Sequence, residues 1–191
     1  MIFEDMKKEL AQRLKPSRYE HSLGVAETAV FLARRFDVPL EQARVAGLLH
    51  DCAREFPNDR MLAEARQRNI PYGAVEQAMP LLLHAAIGAR RIGECYGVDD
   101  PAISQAISRH TVGGSHMTSL DKIIYFADMI EPHRDYSGVE ELRRLSREVS
   151  LDEMVLAGLS RSIAFVLRKQ HLIHPDTVLA RNEILLQGQR Q

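Results

Sequence analysis

Apolar residues recur at three- and four-residue intervals along nearly the whole chain, and no stretch of useful length alternates strictly between apolar and polar. Residues 3–14 form a short amphipathic stretch that Pro16 stops. The next predicted helix opens at Ser17, which has capping-box spacing with Glu20. It runs to about Arg35 with Val25, Ala29, Leu32 and Ala33 on its apolar face. A third starts near Pro39, a first-turn proline, and leads to the pair His50–Asp51. Further helices are expected at about 58–68, 80–95, 101–109, 119–130, 138–147, 151–169 and 176–187. Thr118 and Ser150 read as N-caps, and Gly97 as a helix-ending glycine. The pattern predicts an all-α fold of roughly eight to ten helices, a single domain over residues 1–191. The glycine-rich VGGSHM at 112–117 reads as a loop between helices. It lacks the preceding strand and the Gly-Lys-Ser/Thr ending of a phosphate-cradling loop.

Composition narrows the setting. The chain is 45% hydrophobic and 27% charged with a formal net charge of −1, so no basic surface points to nucleic acid. Cys52 and Cys95 make neither a disulfide framework nor a cysteine-rich metal spacing, which suits a reducing cytoplasm. MIFEDMKKEL lacks the apolar core of a secretion signal, and no apolar run approaches the ~20 residues that span a bilayer. A cytoplasmic protein is expected.

The chemistry lies where polar residues interrupt or end the apolar stripes. Five segments place a candidate ligand in a helical or helix-end context, RYEHSLGV (His21), LLHDCAR (His50 and Asp51), LLLHAAIG (His84), AISRHTVGG (His110) and IIYFADMIEP (Asp128), and in four of them it interrupts or ends such a stripe. A lone histidine among apolar neighbours is usually a core residue bonded to a backbone carbonyl. A series of interruptions that are all His or Asp finds a single cause in a shared metal centre. Imidazole with carboxylate suits zinc, iron or manganese, whereas calcium and magnesium sites are mostly oxygen. Adjacent helical residues point about 100° apart, so His50 and Asp51 do not readily chelate one ion side by side. A carboxylate at Asp51 can instead bridge two cations while His50 binds one.

The order His … His-Asp … His … His … Asp resembles the HD-domain metal-dependent phosphohydrolases. RYEHSLGV, HDCAR, LLHAAIGA, AISRHT and DKIIYFADMIEPHRDYSGVEELR are most similar to the YqeK-type branch, the symmetrical diadenosine-tetraphosphate hydrolases. The likeness runs from about Arg18 to Asn182. It implies a compact helical bundle with a metal site between helices. It further implies that His21, His50, Asp51 and Asp128 hold one metal, and that Asp51 bridges to a second completed by His84 and His110. Iron is the metal the resemblance implies, although the ligand set alone admits manganese or zinc. The implied reaction cuts diadenosine tetraphosphate into two ADP with a hydroxide activated by the two metals. Two departures stand out: Arg54 where relatives commonly carry Lys, and Gly114 where many carry a basic residue.

A polyphosphate needs positive charge, so Arg54, Lys122 and Arg134 are candidate phosphate contacts, with Thr111 beside them and Arg54 assigned with Asp51 to the catalytic centre. His171 and His174 read as exposed loop residues, His116 and His133 as loop residues near ligand segments, and Cys52 as a small buried side chain. No Ser-His-Asp or Cys-His motif supplies a side-chain nucleophile. The competing readings are a 5′-nucleotidase, a guanosine-polyphosphate hydrolase, a nucleotide-sensing module without turnover, and a purely structural helical domain. The expected partner is a dinucleoside polyphosphate or nucleotide, with no nucleic acid and no membrane. A homodimer suits an all-α enzyme of this size, though no apolar stripe marks its interface.

Overall fold

A computed structural model describes residues 1–189. The α-helices are α1 Phe3–Arg13, α2 Pro16–Arg35, α3 Leu40–Leu49, α4 Met61–Gln67, α5 Ala74–Ala78, α6 His84–Tyr96, α7 Pro101–Arg109, α8 Ser119–Ile130, α9 Val139–Glu148, α10 Leu151–Arg168 and α11 Pro175–Gly188. Short 3₁₀ turns cover Cys52–Glu55, Asn58–Arg60 and Pro80–Leu83, and there is no strand among the described residues. No helix among the described residues is long and apolar enough to cross a membrane.

Capping explains most boundaries. The hydroxyl of Thr118 accepts from the Asp121 N–H and that of Ser150 from the Glu153 N–H, as their spacing predicts. Gly97 ends α6 with φ of 64°, the left-handed conformation that only glycine adopts at little cost. The Ser17–Glu20 capping box does not form. Lys15 is the N-cap and Pro16 the first helical residue, because a proline's fixed φ and missing N–H fit that position. The segments expected at 58–68 and 80–95 each open with a 3₁₀ turn, and α5 was not predicted. His174 is no exposed loop residue. It caps α11, accepting from the Asp176 N–H, and its Nε2 lies 3.2 Å from Glu76.

The core gathers around α2, α3, α7 and α8. Helix α2 packs along α3 and α8, α7 fits between α3, α6 and α8, and α10 covers α8 with α9 and α11 beside it. Leu10, Leu32, Leu48, Leu49, Ile107 and Phe126 are fully buried, and each such side chain stabilises the fold by about 1.5–3 kcal/mol. Helices α2 and α3 approach most closely at Gly47, where a Cβ would lie 2.8 Å from the Ala26 Cα. That approach places His21, five residues before Ala26, against His50 just beyond Gly47. A smaller cluster of Ala53, Met61, Ala65, Leu83 and Ile87 anchors the turn after Asp51 and the entrance to α6.

Candidate metal centre

Helix ends deliver the site. His50 and His110 directly follow α3 and α7, His84 opens α6, Asp128 sits in the last turn of α8, and His21 lies inside α2. The last carbonyls of a helix have no intrahelical partner. Here they orient imidazoles: Nδ1 of His50 donates to the Gly47 carbonyl at 2.7 Å, and Nδ1 of His110 to the Ile107 carbonyl at 2.7 Å. Nδ1 of His84 donates to the Leu81 carbonyl at 2.6 Å, within the preceding 3₁₀ turn. His21 instead donates from Nδ1 to the Glu131 carboxylate at 3.0 Å.

Carbonyl and carboxylate oxygens only accept, so Nδ1 carries a proton in all four rings, and in the neutral form of each ring Nε2 is left as a lone pair. Those Nε2 atoms converge. The His21 and His50 pair are 3.2 Å apart, and the His84 and His110 pair 3.0 Å. Facing lone pairs at such distances call for a cation between them. Four imidazoles with two carboxylates form a donor set suited to first-row transition metals, so these residues fit the metals that the resemblance implies.

Asp51 stands between the pairs. Its Oδ2 lies 3.6 Å from His50 Nε2 and 3.9 Å from His21 Nε2, while its Oδ1 lies 3.0 Å from His84 Nε2 and 3.7 Å from His110 Nε2. Asp128 Oδ1 approaches His21 Nε2 at 2.9 Å and His50 Nε2 at 3.8 Å. The ligand atoms of His21, His50 and Asp51 all lie within 4.8 Å of one another, as do those of Asp51, His84 and His110. The six residues singled out in the sequence therefore meet in one buried cluster with the Asp51 carboxylate at its middle.

Burial and charge set the protonation. Burial pushes the pKa of His50 down to about 4, which keeps its ring neutral. For Asp51 burial opposes ionisation, but His50, His110 and His84 outweigh it and hold the carboxyl well below its usual range. Asp128 is likewise depressed against burial, by His21, His50 and Arg134. His110 goes the other way: burial lowers it, but Asp51, Asp128 and the Ile107 carbonyl together outweigh burial and raise it. The cluster thus keeps its carboxylates anionic and accepts positive charge.

Cations ring the cluster. Arg134 bonds the Asp128 carboxylate and donates from Nε to the Asp128 carbonyl at 2.7 Å. Arg54, half-buried, feels Asp51, Asp128, Arg18 and Arg134 as its charged neighbours and makes no ion pair among the described residues. The Thr111 hydroxyl lies 3.2 Å from His84 Nε2 and 3.0 Å from His110 Nε2. Lys122 is not brought in. It pairs with Asp152 at 2.5 Å and lines a separate cleft with Gly114, His116 and Glu183. Cys52 is buried, as expected, and burial pushes its thiol up to about 12.

Sequence reasoning missed three residues. Arg18 donates to Asp51 Oδ2 at 2.8 Å. Glu131, 1% exposed, receives His21 together with the N–H and Nδ1 of His133. Arg143 ties the carbonyls of Ile130, Glu131 and Arg134 and so fixes the turn that carries Glu131 and Arg134. Arg18 stands one helical turn before His21, and Glu131 three residues after Asp128; those spacings were the available signal.

Comparison with known proteins agrees with this geometry. The HD domain family model matches residues 18–132. The chain is 36% identical to the symmetrical bis(5′-nucleosyl)-tetraphosphatase of Bacillus subtilis (strain 168), over 90% of this chain and 91% of that protein. It is 31% identical to the protein of the same description from Staphylococcus aureus (strain NCTC 8325 / PS 47), over 93% and 92%. A crystal structure from Clostridium acetobutylicum, described as a predicted HD superfamily hydrolase involved in NAD metabolism, superposes with a TM-score of 0.93. It shares 36% identity and covers 98% of both chains.

Proposed function

The chain belongs to the HD-domain family, in the branch of the symmetrical bis(5′-nucleosyl)-tetraphosphatases, and we propose that it hydrolyses diadenosine tetraphosphate at its central anhydride to two ADP. His21, His50, Asp51 and Asp128 would hold one metal ion, and Asp51, His84 and His110 a second. The observation that supports this reading is the two-faced Asp51, whose Oδ2 is turned to His21 and His50 and whose Oδ1 is turned to His84 and His110. When bound, two such cations lower the pKa of water and neutralise phosphate charge.

The chain's own residues do the rest. The Nδ1–H bonds hold each imidazole with its Nε2 inward, so no reorganisation precedes binding. Arg54 offers an unpaired guanidinium to the phosphates, and Arg134 keeps N–H groups to spare beyond its bonds to Asp128. The Thr111 hydroxyl donates at the same edge of the cluster. Iron is the metal we assign, and the cytoplasm the compartment, in keeping with two free cysteines.

Two measurements test this together. Protein purified without chelator should contain about two transition-metal ions per chain, chiefly iron. Incubated with diadenosine tetraphosphate, it should release ADP as the sole nucleotide. ATP with AMP, or free adenosine, refutes symmetrical cleavage, and full activity in rigorously metal-free protein refutes the mechanism.

A further inference from the structure

A cleft of about 680 Å³ opens beside the metal cluster, sharing Asp128, Thr111 and Arg134 with it and extending along α10 past Arg161 and Phe165. Its size falls in the usual range for small-ligand sites. Arg161 is half-buried yet makes no hydrogen bond or ion pair with another described residue. Its guanidinium is nonetheless held in place. It lies over the Tyr136 ring at 5.3 Å from the centroid, and the Tyr136 hydroxyl is itself fixed by donating to the Met129 carbonyl at 2.8 Å. The guanidinium also fills the space of a missing side chain at Gly138, where a Cβ would lie 2.6 Å from both terminal nitrogens. Gly138 has φ of 86°, so a glycine is favoured there twice over, by conformation and by space. An arginine held against an aromatic ring and a glycine, without a carboxylate partner, is a preorganised anion receptor. Further along the cleft Phe165 is 50% exposed and presents its ring to the cleft.

We propose that this cleft seats one ADP half of the substrate, with Arg161 binding a phosphate outside the scissile anhydride and Phe165 stacking on the base. The assignment rests on the diadenosine-tetraphosphate reading above and adds the residues that grip the non-reacting end. Stacking on a ring is worth about 1–3 kcal/mol per base, and a charge-assisted contact to phosphate is of similar strength. Both act on binding more than on the chemical step.

The test compares metal-loaded, full-length wild type with Arg161→Ala, Arg161→Lys and Phe165→Ala. Steady-state kinetics on diadenosine tetraphosphate are read alongside calorimetric binding of ADP and of pyrophosphate. Arg161→Ala should raise KM about tenfold with kcat changed far less, and Arg161→Lys should recover part of the loss. Phe165→Ala, at an exposed position that spares the fold, should weaken ADP binding about tenfold and leave pyrophosphate binding as in the wild type. If wild type cleaves the substrate while Phe165→Ala and Arg161→Ala keep its KM and ADP affinity, the cleft assignment is overturned and the functional reading stands. If wild type neither cleaves diadenosine tetraphosphate nor binds ADP, the functional reading fails and takes this inference with it.

Discussion

Glu131→Gln is the sharpest test of how the metal cluster is held, because the substitution changes almost no volume and yet leaves no satisfactory arrangement of hydrogen bonds. Glu131 accepts on both oxygens: Oε1 from His21 Nδ1 at 3.0 Å, and Oε2 from the His133 N–H at 2.8 Å and its Nδ1 at 3.0 Å. Glutamine has one acceptor and one donor group. With its oxygen toward His21, its NH₂ meets the His133 N–H, donor against donor. With its oxygen toward His133, its NH₂ takes the acceptor side of His21 Nδ1 and drives the ring proton to Nε2, into the metal site. A buried donor left unpaired costs about 1–3 kcal/mol. Losing the carboxylate that orients a ligating imidazole typically weakens metal affinity by about 10–100-fold. Competition titration against a chromogenic chelator measures this, with helical circular dichroism as the control. The loss should fall mainly on the site of His21, His50 and Asp128, since Glu131 touches neither His84 nor His110. Wild-type affinity at both sites in the folded variant would refute the claim that this contact sets the His21 tautomer.

Four shorter predictions follow from the same geometry. Asp51→Asn should lose most of both metals and nearly all hydrolysis while staying helical, and His84→Ala should retain more metal; two metals and substantial activity in Asp51→Asn would mean that Asp51 is no bridge. Arg54→Ala should keep its metal content and lower kcat/KM about tenfold, whereas unchanged kinetics would return Arg54 to the solvated surface. Gly24→Ala should gain about 1 kcal/mol of helix propensity, but its Cβ would lie 2.5 Å from Glu131 Oε2; weaker metal binding without a rise in Tm is expected, and a stabilised protein with intact metal affinity contradicts the clash. A thiol reagent at about pH 8 should label Cys95 alone in the native protein and both cysteines after denaturation. Because burial raises the Cys52 thiol from 9.0 to about 12, the unfolded chain releases that proton first and stability should fall as pH rises between those values, visible as a decline in Tm.

The helices were legible in the chain because apolar periodicity and local capping are short-range. Thr118, Ser150 and Gly97 act through neighbours two to four residues away. The six candidate ligands were legible for a related reason: most of them are polar interruptions in an apolar stripe, and burial makes such a residue conspicuous before any fold is known. What tertiary structure alone decided is which polar atom meets which. His21 and Glu131 are 110 positions apart, and Arg18 and Asp51 are 33 apart. No periodicity links residues so distant, so neither Glu131 nor Arg18 stood out. The same limit misplaced Lys122, whose sequence neighbours suggested the cluster but which the packing of α8 on α10 hands to Asp152. It also hid His174, drawn into a bond with Glu76. A bridging role for Asp51 was read from the 100° between adjacent helical side chains, although the pair lies just past the end of α3. Its two faces exist only in the fold, where Gly47 lets α2 and α3 approach so that His21 meets His50, and the packing of α6 and α7 brings His84 to His110.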